Sequence, residues 1–207
     1  MSLKYTQFAI LLVSALYLSA YTPYNRGAVF LIIAVMNQDS SIMKIGIVAD
    51  THNNVENTQQ AVDILKAEKV NRVIHCGDIT TPQIIEVFTG MQAVFVFGNI
   101  DHSHADLMAK AKELMGMGSI GYSYTAVWED LRIAVIHGDD SRLDEMVHSG
   151  RYDYVFHGHT HQRRDERVGD TRVINPGALG GSKKETRSLC ILNTETGEAV
   201  FHEIEGD

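Results

Sequence analysis

From residue 43 onward, short runs rich in valine and isoleucine alternate with helical patterns, and these runs stop on side chains that can hold a metal. "KIGIVAD" ends at Asp50 and "VNRVIHCGD" at Asp78; "MQAVFVFGN" ends at Asn99, "RIAVIHGD" passes through His137, and "YDYVFHGHTH" ends at His161. Strands alternating with helices predict an α/β domain, and in open α/β sheets ligands gather at the carboxyl ends of the strands. The same pattern therefore predicts both the class of fold and the edge on which a site would form.

Local signals place the helices. Asn53 or Asn54 caps a helix whose stripe is Val55, Ala61, Val62 and Leu65. Thr81 followed by Pro82 starts a second, with Ile84, Ile85 and Phe88 as its apolar face, and Leu107, Met108, Ala111, Leu114 and Met115 stripe a third. A short helix carries Leu143, Met146 and Val147. Between and after these lie strand pairs about Glu129-Asp130, Gly169-Asp170 and Thr196-Gly197. No repeat or linker divides residues 43–207, which predicts one α/β domain with a mixed sheet or two packed sheets.

Charge and cysteines narrow the function classes. Net charge is −8, and an acidic body repels polyanions, so no stable grip on nucleic acid is expected. Cys76 and Cys190 each sit in an apolar strand-like run rather than a C-x-x-C pair, which favours free buried thiols and a cytoplasmic protein. Residues 1–42 stand apart. "FAILLVSALYLSAY" (8–21) and "AVFLIIAVM" (28–36) are both shorter than the ~20 apolar residues of a membrane span. Three readings compete: a signal peptide with a poor cleavage site, an anchor that would associate the protein with a membrane, and a non-catalytic extension ahead of a natural start at Met43. The last is preferred.

Taken singly, each polar strand end has an ordinary explanation as a cap, a turn residue or a hydrogen-bonded histidine. Period 2 alone leaves His157, His159 and His161 equivalent. The ordered set D-x-H, G-D, G-N, H-G-D and G-H-T-H is much harder to obtain by chance. Imidazole, carboxylate and amide together suit manganese, iron, zinc or nickel better than magnesium or calcium.

The set Asp50-x-His52, Gly77-Asp78, Gly98-Asn99, His137 and Gly158-His159-x-His161, with "INPGAL" (174–179), resembles the calcineurin-like metallophosphoesterases, in particular their small single-domain bacterial and archaeal phosphodiesterases. The resemblance implies a four-layer α-β-β-α sandwich of two mixed sheets with flanking helices. It implies two divalent metal ions, one on Asp50, His52, Asp78 and His161, the other on Asp78, Asn99, His137 and His159; manganese is the expected ion, with iron, zinc or nickel as alternatives. Asp78 is then the bridge, and a hydroxide shared by the metals attacks phosphorus in line. Asp50, His52, Asp78, Asn99 and His137 are the expected catalytic residues, with Asn99 also binding substrate. His157 is left as a core residue or an outer partner of the ligands, and Asp101 as an outer partner that orients a ligand histidine.

One position departs from the family. Many members carry a histidine directly after G-N, assigned to protonating the leaving group, and here it is Ile100. His102 and His104 are the nearby replacements, and Arg163 is a weaker candidate for substrate contact. The expected activity is hydrolysis of small phosphodiesters, with or without homo-oligomerisation. The alternatives are a phosphomonoesterase or nuclease of the same superfamily, and a non-catalytic scaffold with the same fold.

Overall fold

The structure is a computed structural model that describes residues 43–205. The readings of residues 1–42 therefore lie outside the described residues. Two mixed sheets face each other. The first has six strands in the order β11-β10-β1-β2-β3-β4, and the second five in the order β5-β6-β7-β9-β8. Their ranges are β1 Lys44–Val48, β2 Arg72–His75, β3 Ala93–Val96, β4 Ile120–Gly121, β10 Ser188–Asn193 and β11 Ala199–Glu203, then β5 Ser123–Trp128, β6 Leu131–Ile136, β7 Tyr154–Phe156, β8 Arg163–Val168 and β9 Thr171–Pro176. The described helices are α1 Val55–Ala67, α2 Pro82–Val87, α3 His104–Met115 and α4 Arg142–His148.

Period-2 side-chain alternation builds the layers. On β1, Ile45 and Ile47 enter the apolar layer between the sheets, with Ile74, Ile133, Phe156 and Ile174, while Val48 faces the helices with Ala61, Leu65 and Ile85. A third apolar layer lies between the second sheet and α4, around Val147, Val155 and Val173. Three apolar layers separate four structural ones, giving the α-β-β-α sandwich. Cys76 and Cys190 are both free and buried. Two stripe positions differ from expectation: Val55 is 41% exposed and Met108 52%, because the first lies at the entry of α1 and the second on the outer flank of α3. Among the described residues no helix is long and apolar enough to cross a membrane.

Strands β1 to β3 run parallel, and β6 runs parallel to β7. Their carboxyl ends open on one edge. The backbone pairing of β1 with β2 continues past the strands, with Asp50 N donating to Gly77 O and His52 N to Asp78 O, both at 3.0 Å. Asn54 then stops the turn by accepting from Asn57 N at 2.9 Å, which starts α1 directly behind His52.

Candidate metal centre

Strained backbone holds the polar side chains at this edge. Asp50, His52, Asp78, His159 and His161 all have positive φ, from 45° to 68°, a region that non-glycine residues seldom occupy. The motif glycines make room for their neighbours' ligands. A Cβ on Gly98 would stand 2.0 Å from Asp78 Oδ1, and one on Gly158 would stand 2.7 Å from Asp50 Oδ2. Each glycine thus belongs to a different strand end from the carboxylate it admits.

Asp50, His52, Asp78 and His161 offer ligand atoms that all lie within 4.8 Å of one another. His52 Nε2 faces His161 Nε2 at 3.0 Å, His161 Nε2 faces Asp50 Oδ1 at 3.5 Å, and His52 Nε2 faces Asp78 Oδ2 at 3.5 Å. The other oxygen of Asp78 lies 3.4 Å from His137 Nε2. His137 Nε2 is in turn 3.1 Å from Asn99 Oδ1, which is 3.2 Å from His159 Nδ1. All seven ligand candidates are therefore brought to one edge, in two groups that meet at Asp78.

The donor chemistry fits a cation. His161 Nδ1 lies 2.8 Å from Ser182 O, and His137 Nδ1 lies 2.8 Å from Cys76 O. A carbonyl only accepts, so each Nδ1 carries a proton and each ring turns its Nε2 inward. For His137 that Nε2 meets two oxygens, Asp78 Oδ1 and Asn99 Oδ1. Acceptors facing acceptors repel unless a proton or a metal ion lies between them. The titration directions say the same. His137 is raised to about 9: burial opposes its charge, but the bond to Asp78 and the charges of Asp50 and Asp78 override it. Asp50 is raised to about 8 by burial, with Asp78 adding to it. Asp78 itself lies below its ordinary value: burial works against ionisation, and His137 together with the Ile100 N–H outweighs it.

The residues proposed as outer partners sit differently. Asp101 orients no histidine; its oxygens accept from Gly98 N at 2.8 Å and Thr80 N at 2.6 Å, tying the loop after β3 to the loop after β2. His157 is buried with Nδ1 against Gly158 O and Nε2 against Arg164, and burial lowers it to about 4. Arg163 is bound by two carboxylates, Glu185 at 3.1 Å and Glu203 at 2.9 Å, which explains its position without a substrate. His104 packs on Phe97 at 4.3 Å and meets Tyr122 Oη at 3.2 Å, while His102 is exposed.

Two supporting residues escape a reading of the sequence. His75, fully buried, accepts from Gly77 N at Nδ1 and so donates from Nε2 to Thr51 Oγ1, which reaches Asp78 O at 3.2 Å. That chain locks the Asp50–His52 turn to the Gly77–Asp78 turn, and burial lowers His75 to about 3, keeping it neutral. Asn175 donates to Gly158 O at 2.7 Å and Thr160 Oγ1 at 3.1 Å, bracing the turn that carries His159 and His161. The "INPG" stretch holds the one signal that could have found Asn175; nothing local singles out His75.

A two-sheet α/β sandwich with a carboxylate–imidazole cluster on its carboxyl edge defines a metal-binding phosphoric ester hydrolase. The chain belongs to the calcineurin-like phosphoesterase superfamily, whose domain matches residues 43–197. It is 36% identical over 159 residues to a phosphodiesterase of Methanocaldococcus jannaschii, covering 75% of this chain and 96% of that protein. A solved archaeal phosphodiesterase superposes with a TM-score of 0.74 at 34% identity, over 78% of this chain and all of that one. Zinc-bound Vps29 of Entamoeba histolytica shares the fold at 16% identity and a TM-score of 0.56, over 78% of this chain and 98% of its own.

Proposed function

We propose that the protein hydrolyses small phosphodiesters at two divalent metal ions joined by Asp78. The observation that carries this reading is the placement of that carboxylate, with Oδ2 toward His52 and Oδ1 toward His137. Asp50, His52 and His161 complete one ligand set with Asp78, and Asn99, His137 and His159 complete the other. When bound there, the cations supply a water of near-neutral pKa and offset the charge on the phosphoryl group under attack. The chain's own residues orient that chemistry. Carbonyl-held rings keep Nε2 of His137 and His161 facing inward, and Asn99, exposed at the rim, takes a phosphoryl oxygen of the substrate.

Ile100 offers no proton to a leaving group, and His104 is engaged with Phe97 and Tyr122. Substrates whose leaving group departs as a stable anion are therefore favoured, which suits aryl-like diesters better than alkyl monoesters. The net charge of −8 favours small substrates over polynucleotides. The mixture of imidazole, carboxylate and amide suits manganese, iron, zinc or nickel, and manganese is the ion to test first. The M. jannaschii phosphodiesterase, matched over nearly its whole length, supports a diester.

The test uses the full chain stripped of metal and reloaded with Mn²⁺, assayed on bis-aryl and mono-aryl phosphates beside an Asp78→Ala control. About two metal equivalents with faster diester turnover are expected. Turnover that survives Asp78→Ala, or inactivity on both esters, overturns the reading.

A further inference from the structure

Arg187 sits just before β10, only 5% exposed, and no carboxylate among the described residues pairs with it. A buried guanidinium without an anion is costly unless its donors are committed elsewhere. They are committed to one loop: Arg187 donates to Gly180 O, and to Gly181 O at 2.8 Å, while its Nε finds no partner.

The loop it holds lies against the first ligand group. Leu179 N donates to Ala49 O at 3.1 Å and Gly180 N to Asp50 O at 2.7 Å, so the loop runs alongside the end of β1. The approach is close enough that a Cβ on Gly180 would stand 2.1 Å from Thr51 O. Gly181, at φ +64°, packs on both rings; its Cβ would stand 2.6 Å from His52 Nε2 and 2.7 Å from His161 Cε1. The next carbonyl, of Ser182, accepts from His161 Nδ1 at 2.8 Å. Three successive carbonyls are thus divided: two fixed by Arg187, and the third fixing the tautomer of a ligand.

We propose that Arg187 is a positioning residue for metal binding, which holds the Gly180–Ser182 backbone against His52 and His161 and so keeps His161 Nε2 free for the ion. This rests on the reading that Asp50, His52, Asp78 and His161 bind a metal. Arg187 touches neither ion nor substrate and acts only through the loop.

The experiment titrates the metal-free full chain with Mn²⁺ by calorimetry, comparing wild type, Arg187→Met and Arg187→Lys, and follows each metal-free protein by thermal melting. Loss of an outer partner weakens metal binding about 10- to 100-fold. Arg187→Met is expected to show that loss in its tighter phase, and Arg187→Lys, with a single ammonium for two carbonyls, a smaller one. Histidine ¹⁵N spectra of the metal-free proteins are expected to show His161 with its proton on Nδ1 in wild type and mixed tautomers in Arg187→Met. A purely structural role would lower the melting temperature and leave affinity and tautomer unchanged, which overturns the proposal. If Arg187→Met does not fold, Gly181→Ala decides: its added methyl pushes the loop off both rings with Arg187 intact, and unchanged Mn²⁺ affinity there overturns the proposal. Should wild type itself bind no Mn²⁺, the underlying metal site is what fails.

Discussion

The two proposed ligand groups share Asp78 but are built to different standards of enclosure. In the first, Asp50 is wholly buried and His161 8% exposed, with a glycine loop packed on His52 and His161. In the second, His137 is buried while Asn99 and His159 stand exposed. Enclosure fixes ligand geometry and excludes water; exposure admits a substrate and lets it leave. The difference teaches that the enclosed group is suited to retaining an ion and the open group to meeting the ester.

That contrast can be broken at several points. Asp78→Asn removes the shared carboxylate charge, so both phases of Mn²⁺ binding should weaken and kcat/KM should fall at least about 1,000-fold. Loss confined to one phase in a calorimetric titration would separate the groups. Next come the paired variants His161→Ala and His159→Ala. The enclosed ligand should cost more, about 100-fold in Mn²⁺ affinity, and the open one about 10-fold with a larger share of the damage in turnover. Equal losses would mean that enclosure has no bearing on retention.

Ile100→His sharpens the comparison from the open side. An acid placed there should raise turnover of alkyl diesters about 10-fold relative to aryl ones, and a steady-state comparison of the two substrates reads the ratio directly. The smallest effect expected is on stability. With no metal bound, Asp50 and His137 hold protons up to about 8 and about 9, whereas an unfolded chain releases them near 3.8 and 6.5. The native state then binds more protons than the unfolded one, so Asp50 costs the metal-free protein stability as pH rises from about 3.8 to about 8 and His137 as it rises from 6.5 to about 9, and both act together above 6.5. Metal binding requires those same groups deprotonated, so the melting shift produced by Mn²⁺ should grow over the same window. Melting curves at pH 6.5 and 9, with and without Mn²⁺, check both signs.

The strands and candidate ligands were legible because each is local: an apolar run, then a glycine or a tight turn, then a carboxylate or imidazole. Asp50, Asp78, Asn99 and His137 can be picked out from nine-residue windows. The bracing groups cannot, because they act across the chain. His75 reads as one more strand residue until Thr51 comes within 3.1 Å of it, and Arg187 reads as one more surface cation until two glycine carbonyls receive it. Arg163, the weaker candidate for substrate contact, shows the opposite case. It lies beside the histidines in sequence, yet Glu185 and Glu203, both remote in sequence, claim its guanidinium. Asp101 stands two residues from Asn99 and serves backbone instead, that of its own loop and that of the loop after β2.

Strand order gives the site a place in time. His52 meets His161, and Asp50 meets the backbone of His159, across 109 residues of chain in each case. The first sheet is completed later still, since β10 must insert between β1 and β11. A nascent chain that has just released His161 already holds every proposed ligand, yet it lacks the strand that flanks β1 and the arginine that precedes it. Contacts of this span make for slow closure. A product truncated before residue 188 would therefore carry the whole ligand motif without the sheet edge that organises it, and hydrolysis would begin only once β10 has been made and has paired with β1.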